Sequence, residues 1–565
     1  MNTKRKPQLK TQLKTQSKTQ LKTQMRRLPL AMLAAACLPA LAQQTPPLQE
    51  NARPLPQPQA RGNVPAVPNA PAAPVEAGGQ QVVLQRVVFT GNTRIGSDAL
   101  LAALGPVGGK SYDFAGLSAL AARVTAYYQQ AGYPFARAYL PQQDLSGGEL
   151  HVQILEGRYG KVSAHGEEAF LRGATGFLSA LPHGAIIESA RLERVTLLLD
   201  DQPGARTVPL VRPGEEVGTG DLSVEVTRDH RYKGEAGLDN YGTRATGRAR
   251  AHVSADADSP FMFGDQLSMQ ALYTEAHMWF GSLAYAAPLG YGGLRGRASY
   301  THSFYELAGS FAALGARGTA DVTSLGLSYP IVRSQVRNLT LSASVDHKRL
   351  HDRQDATDTE TQKSSTVVPV TLSFDVRDQL IHAGITFGAL SWTRGHLQMD
   401  GGAAALDAAS AGSGGGFNRF NLDLARIQSI NDRLDLYARV SAQWTGRNLD
   451  ASEKLGLGGV NGVRAYPNGE GYGDTGWVAQ TEVRYAVGPV VPYLFYDAGR
   501  VTLSKNPWTT LDNHRALGGG GLGVRYVRDA WSGSVTVAWR SHGGASLSDE
   551  SAHTPAVLAT LSYRF

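Results

Sequence analysis

The sequence predicts a membrane β-barrel of about sixteen antiparallel strands, preceded by two small α+β domains. Three observations predict it. From about Tyr232 to the C-terminus, segments of about ten residues alternate apolar with polar side chains and are separated by Gly, Asn and Asp turns. No uncharged apolar run after residue 42 approaches the ~18–20 residues that a spanning helix requires, and the mean hydropathy is −0.23. Sixty-four Gly beside 22 Tyr, 16 Phe and 7 Trp in 565 residues supply turns and strands rather than a helical membrane domain.

The chain opens on a basic extension. Residues 1–42 hold nine Lys/Arg and no acid, which leaves 46 basic residues against 48 acidic ones in the remainder. The positive excess lies in residues 1–42, and if these are removed by processing the formal charge of +7 is no argument for nucleic-acid binding. Met25–Ala42 has the layout of an export signal: Arg26 and Arg27, the apolar stretch Leu28–Leu41, then the small-x-small site Ala40-Leu41-Ala42. The only cysteine, Cys37, lies inside it, so cleavage after Ala42 leaves neither a disulfide framework nor thiol chemistry. Residues 43–80 contain nine Pro among 38 residues and are expected to form an extended, unstructured linker without helical periodicity.

Residues 81–157 read as one small domain. A strand over Gln81–Phe89 and the turn Gly91-Asn92-Thr93 lead into a helix from Ser97, an expected N-cap, through Leu100, Leu101 and Leu104. A second helix starts at Phe114, with Leu117, Leu120, Ala121, Val124, Tyr127 and Tyr128 on helical spacing, and stops before Gly132 and Pro134. Strands at Phe135–Leu140 and Glu149–Glu156 follow. Residues 158–229 repeat the order: a strand near Lys161, helices near Glu168–Ala180 and Glu188–Asp200, then strands Thr207–Val211 and Leu222–Arg228. This order, with the string FTGNT…AGYPFARAYLPQQ…LHVQILEG, resembles POTRA domains. The resemblance implies periplasmic modules that bind a client polypeptide by adding a strand to an exposed sheet edge, a mode that recognises main chain without demanding a sequence.

Residues 230–565 read as the barrel. Leu434, Leu436, Ala438, Val440, Ala442 and Trp444 alternate with largely polar partners, as do Leu339, Leu341, Ala343 and Val345, and Val557, Ala559, Leu561, Tyr563 and Phe565. At roughly 20 residues per strand and turn, the segment allows about sixteen strands, and an even number suits closure.

Several motifs then occur in a fixed order: Leu238-Asp239-Asn240-Tyr241-Gly242 with Thr246-Gly247, Gly264-Asp265-Gln266-Leu267, Glu453 through Tyr466, Gly473-Asp474-Thr475-Gly476-Trp477, and Phe495-Tyr496-Asp497-Ala498-Gly499. Over about residues 82–565 the chain resembles the outer-membrane transporters of two-partner secretion (TpsB, the haemolysin activation/secretion family). The resemblance implies a pore in the cell outer membrane, POTRA domains in the periplasm, and secretion of a large, unfolded TpsA-like exoprotein. It implies outer-membrane lipid and the barrel-assembly machinery as further partners, with Phe565 as the terminal assembly signal. It also implies that the segment holding Val463, Arg464, Ala465 and Tyr466 is an extracellular loop folded into the lumen, with Arg464 meeting Asp497. Ala465 stands where the family commonly has Gly. By parity Asp497 shares a face with Phe495 and Gly499, and since an acid on the lipid face is costly, that face is expected to line the lumen. A related barrel that inserts membrane proteins is the alternative reading, and an outer-membrane hydrolase the third.

No catalytic, metal or cofactor site is expected. The sequence has no His-Glu-x-x-His, no nucleotide-binding Gly-rich turn and no Cys/His cluster. Ala411-Gly412-Ser413-Gly414-Gly415 lacks the first Gly of a serine elbow, and His382 and His396 are expected in a loop or at a strand end. The Asp/His/Arg-rich stretch 346–358 is read as a solvated hairpin end.

Overall fold

The computed structural model describes residues 57–65, 78–549 and 552–565. The export signal and most of the linker lie outside these residues.

The first unit contains β1 (Val82–Val83), β2 (Arg86–Thr90), α1 (Ser97–Leu104), β3 (Ser111–Tyr112), α2 (Phe114–Gln130), β4 (Arg137–Tyr139) and β5 (Glu149–Leu155). Its last strand is central: β5 pairs parallel with β2 and antiparallel with β4. Leu100, Leu104, Leu117, Leu120, Val124 and Tyr128 of the helices bury against Leu150, Val152 and Ile154 of the sheet. The cap assignment differs from expectation. Gly96 is the N-cap of α1 and Ser97 is its first helical residue, its hydroxyl accepting from the Asn92 side chain. The effective cap belongs to α2, where Asp113 accepts from the Gly116 N–H at 2.7 Å.

The second unit repeats the plan with β6 (Arg158–Gly166), α3 (Glu168–Leu178), α4 (Ser189–Asp200), β7 (Ala205–Pro213) and β8 (Thr219–Arg228), in sheet order β6-β8-β7. It packs on the barrel through aromatic contacts. Phe263 lies 5.2 Å from Phe170, and Tyr291 lies 5.5 Å from Phe177, ring centre to ring centre. Gly173 and Gly176 make this approach feasible, because a side chain at either would run into Phe263 or Tyr291. Arg333 adds a two-pronged pair with Asp201, both contacts at 2.7 Å.

Residues 57–65 form neither helix nor strand and are docked on the barrel and the second unit. The carbonyls of Gln59, Ala60 and Gly62 accept from Arg377, Arg333 and Gln335 of the barrel, while Asn63 donates to Asp200 and to the Thr207 carbonyl of the second unit. The segment bridges the two bodies.

Sixteen strands close into one antiparallel barrel. They are β9 (Tyr232–Asp239), β10 (Arg250–Asp258), β11 (Gln266–Thr274), β12 (Trp279–Pro288), β13 (Arg295–Glu306), β14 (Ala316–Arg333), β15 (Arg337–Gln354), β16 (Thr359–Asp378), β17 (Gly384–Met399), β18 (Gly415–Ser429), β19 (Leu434–Thr445), β22 (Thr475–Tyr485), β23 (Val490–Thr502), β24 (His514–Arg528), β25 (Trp531–His542) and β26 (Ala556–Arg564). The small pair β20 (Leu455–Gly456) and β21 (Tyr472–Gly473) lies in the loop after β19. Strands β14, β15 and β16 run to 18, 18 and 20 residues, longer than the expected ten. Their outward side chains are apolar only in the half nearer the second unit, for example Leu325, Leu327, Tyr329 and Ile331, and the polar half continues beyond the apolar band.

The barrel closes where β26 meets β9, over the register Thr560↔Asp239 to Arg564↔Glu235. Phe565 exchanges two backbone hydrogen bonds with Gly234, at 2.9 and 3.0 Å, and leaves its ring 62 % exposed. Asn240 of the Leu-Asp-Asn-Tyr-Gly motif extends this seam by bonding Ala559 and Val557.

Candidate functional site

The segment 446–474 leaves β19, turns into the barrel and returns to β22. Its buried residues Leu455, Leu457, Val463, Ala465 and Tyr466 form one apolar cluster with Val478, Tyr493, Phe495, Val501, Leu517 and Ala538 of the wall. The tip is a tight knot: Val463 N–H donates to the Leu457 carbonyl at 2.7 Å, and Gly459 N–H to the Tyr466 carbonyl at 3.0 Å. Gly459 has φ +96°, a backbone angle that a side chain would strain.

At the tip, Arg464 meets Asp497 through three hydrogen bonds. Its backbone N–H and Nε donate to Asp497 Oδ2 at 3.0 and 2.8 Å, and Nη2 donates to Oδ1 at 2.7 Å. Nη1 donates to Glu482 Oε1 at 2.5 Å. Asp497 is fully buried and Arg464 is 4 % exposed. The guanidinium also lies 3.7 Å from the centre of the Phe495 ring, a cation–π contact made out of water. Planar, two-pronged donation of this kind belongs to Arg and is not reproduced by an ammonium.

The expected residues sit together on the inward face. Phe495, Asp497 and Gly499 are buried, whereas Leu494 and Tyr496 point outward. Gly499 leaves the space that Leu457 of the loop fills, and Gly519 leaves the space for the Ala465 methyl group. Ala465 does not adopt a positive φ, so the glycine common at this place is not required here. The Tyr466 hydroxyl lies 2.8 and 2.9 Å from the carbonyls of His542 and Gly544, tying the tip to the last extracellular loop.

Sequence reasoning missed most of the surrounding charges. Glu482 accepts from Arg464 and also from Arg484 Nε at 2.7 Å and from both terminal nitrogens of Arg525 at 2.9 Å. Three guanidiniums thus share two carboxylates. A signal was present: Gln480, Glu482 and Arg484 alternate with Val483 and Tyr485, which places acid and base on one inward face. The run Gly518–Gly521 inside a strand was a second signal, of close approach by another backbone or side chain.

The base of the loop has its own anchors on the opposite wall. Asp450 pairs with Lys363 at 2.9 Å, and Glu453 pairs with Lys348 at 2.6 Å and with Arg419 at 2.5 Å. Lys454 pairs with the fully buried Asp474 at 3.1 Å. The returning limb is held by Glu470, which accepts from Arg515, Ser546, Ser548 and the Leu547 N–H. The loop therefore spans the lumen between β15–β18 on one side and β22–β25 on the other.

Outside the loop, Ser413 donates both N–H and hydroxyl to Asp407, which makes it a turn residue rather than a nucleophile. His382 lies in a turn, and His396 lies on β17. Among the described residues no group of three His, Cys, Asp or Glu side chains is placed to hold a metal ion.

A family model described as haemolysin secretion/activation protein ShlB/FhaC/HecB matches residues 218–526, more than half of the chain. The chain belongs to that family. A POTRA domain of ShlB type matches residues 82–157. The heme/hemopexin transporter protein HuxB of Haemophilus influenzae is 25% identical over 470 residues, covering 80% of this chain and 82% of the relative. The hemolysin transporter protein ShlB of Serratia marcescens is 26% identical over 523 residues, covering 88% of each chain. The solved structure of CdiB from Escherichia coli superposes with a TM-score of 0.71 at 21% identity, covering 89% of this chain and 94% of that one, and shows the shared fold. As a member of this family the chain is an outer-membrane transporter of two-partner secretion, with its POTRA region in the periplasm.

Proposed function

We propose that the two N-terminal units receive one large exoprotein in extended form and pass it through the barrel as the Arg464 loop shifts. The observation that carries this reading is the loop itself. It crosses the lumen, yet it is held by ion pairs and hydrogen bonds rather than by continuous sheet, so it can leave without breaking the barrel's ladder. The edge strand β7 supports the receiving role, since it leaves Val208 and Leu210 exposed for a strand to be added.

Lumen-facing positions on β10–β16 include Ser254, Ser268, Ser282, Ser299, Ser342 and Thr371. Short hydroxyls bind a passing main chain weakly and without sequence preference. A cavity of about 400 Å³ lined by Ser324, Ser342, Ser344 and Thr371 opens beside Asp201 and Pro203 of the second unit, where a client would enter. Neither ATP nor a proton gradient serves this membrane, so folding of the client outside supplies the direction. The chain does no chemistry of its own in this scheme. Outer-membrane lipid surrounds the barrel, and the barrel-assembly machinery reads Phe565.

Deleting residues 82–228 tests the receiving role. The truncated barrel is expected to insert, judged by heat-modifiable mobility, and to secrete none of its partner exoprotein. Normal secretion would refute the role of these units.

A further inference from the structure

Moving up each long strand from the second unit, the outward face changes abruptly from apolar to polar. The apolar run ends at Leu325 on β14, Val345 on β15, Val368 on β16 and Trp392 on β17. The next outward residues are Thr323, His347, Thr366 and Arg394, with Arg349 and His396 one step higher on their own strands. Register makes this a continuous belt: Thr323 pairs with His347, His347 with Thr366, and Thr366 with His396. It lies just above the apolar band on the side of the extracellular loops, where lipid headgroups of the outer leaflet sit. The aromatic rings of Tyr300, Trp392 and Phe420 near this boundary mark the same level.

Cations outnumber acids at this level, with Arg349, Arg394, His347 and His396 against Asp321. Arg349, Arg394 and His396 are exposed; neither guanidinium is in a close ion pair among the described residues, and Arg349 interacts at longer range with Asp321. Asp321 stands directly across from Arg349 on the adjoining strand and offsets one of these charges, while its Oδ1 also accepts from Tyr300 and His302. Higher up, Arg353 is matched by Asp355 and His351 by Glu360, so cation and anion balance there. Arg394, in register with Val368 and Asn418, faces no acid directly above hydrocarbon, and an added anion would balance the excess of cations there.

We propose that the belt formed by His347, Arg349, Arg394 and His396 binds the phosphates of a phosphorylated glycolipid of the outer leaflet, of the lipid A type. The acyl chains of such a lipid lie along Val345, Val368 and Trp392, and its headgroup phosphates reach the two guanidiniums, with the imidazoles as additional donors. Arginine suits phosphate because its planar fork donates in pairs. The site is independent of secretion, since all four side chains face away from the lumen.

Binding is tested with the full-length protein in phosphatidylcholine nanodiscs, titrated with bis-phosphorylated lipid A and with the same lipid after removal of its phosphates, and read by native mass spectrometry. The phosphorylated lipid is expected to bind the wild type far more tightly than the dephosphorylated one. Each basic residue near an anionic surface contributes roughly fivefold in affinity, so Arg349→Ala/Arg394→Ala should weaken phosphorylated lipid A about 25-fold and leave the dephosphorylated lipid unchanged. Arg349→Lys/Arg394→Lys should recover part of the loss. Equal affinity of the wild type for the two lipids overturns the proposal without recourse to any variant. Undiminished binding by the alanine variant, shown to be folded by its heat-modifiable mobility, overturns it as well.

Discussion

Arg464 spends its side-chain donors on two carboxylates, and that division decides what each substitution does. Asp497→Ala leaves the buried Arg464 with Glu482 alone, and Arg464→Ala strands the buried Asp497 carboxylate; removing one member of such a pair typically costs about 3–5 kcal/mol. Both single variants should lose most export at matched membrane levels, and the double variant should lose less than the sum because no charge is left unpaired at Asp497. Arg464→Lys should not restore export, since an ammonium cannot serve Asp497 and Glu482 with one planar group. Additive losses, or a fully active Lys variant, would show that these residues do not work as one latch. Another buried carboxylate matters in the periplasm. Glu156 accepts from the backbone N–H groups of Thr93 and Arg94 at 2.7 Å and from the Tyr128 hydroxyl at 3.0 Å. Burial pushes its carboxyl up, but donation from Thr93, Arg94 and Tyr128 outweighs burial and holds it below the usual range. A depressed carboxyl contributes stability above its unfolded value, about 4.3, and that contribution disappears as pH falls through the lower folded value. Thermal melts of the isolated segment 78–229 should therefore show Glu156→Gln less stable than wild type at neutral pH, with the gap narrowing in acid; a gap constant with pH would contradict this. The pair Arg464–Asp497 was legible because a motif and strand parity put both on the lumen side. The meeting of Glu482 with Arg464 and Arg525 was not: alternation puts Glu482 on the inward face, but the contact depends on the register across β22, β23 and β24, which no local pattern states.

At the level of elements, the loop 446–474 is secured at its tip, at its base and, through Glu470, on its returning limb. Glu453 holds Lys348 and Arg419 on β15 and β18, far around the barrel from Asp497. Release of the tip alone would leave the loop held at this base and by Glu470, and release of the base alone would leave it held at the tip and by Glu470. Lys348→Met/Glu453→Gln, which removes one charge of each sign, should loosen the base without touching the latch. Single-channel recordings in planar bilayers are expected to show more frequent large-current openings than wild type, and an unchanged record would argue that the base does not restrain the loop. The barrel strands were legible from alternation alone, since one face meets lipid and the other water. The docking of residues 57–65 was not. Its contacts run mainly from backbone carbonyls of Gln59, Ala60 and Gly62, and a proline-rich segment that binds through its main chain has the same composition as a free tether. The extra length of β14–β16 also escaped the estimate, because polar strand beyond the membrane carries no apolar alternation to count.

For the whole molecule, the loop crosses the lumen from β15–β18 to β22–β25, and the cavity beside the second unit is lined by the hydroxyls of Ser324, Ser342, Ser344 and Thr371. The transport route through the barrel can be read with single cysteines, because the chain has one native cysteine, Cys37, inside the expected export signal. Thr301 on β13 faces the lumen and lies 2.9 Å from the Ser282 hydroxyl, whereas Leu327 on β14 faces lipid and is 52 % exposed. The client is arrested in mid-transit by a C-terminal fusion that cannot unfold, and its own cysteine is offered to Thr301→Cys or to Leu327→Cys. Disulfide cross-linking to Thr301→Cys and none to Leu327→Cys is the expected result. Equal cross-linking at the two positions, or cross-linking at the lipid-facing one alone, would contradict passage of the client through the barrel.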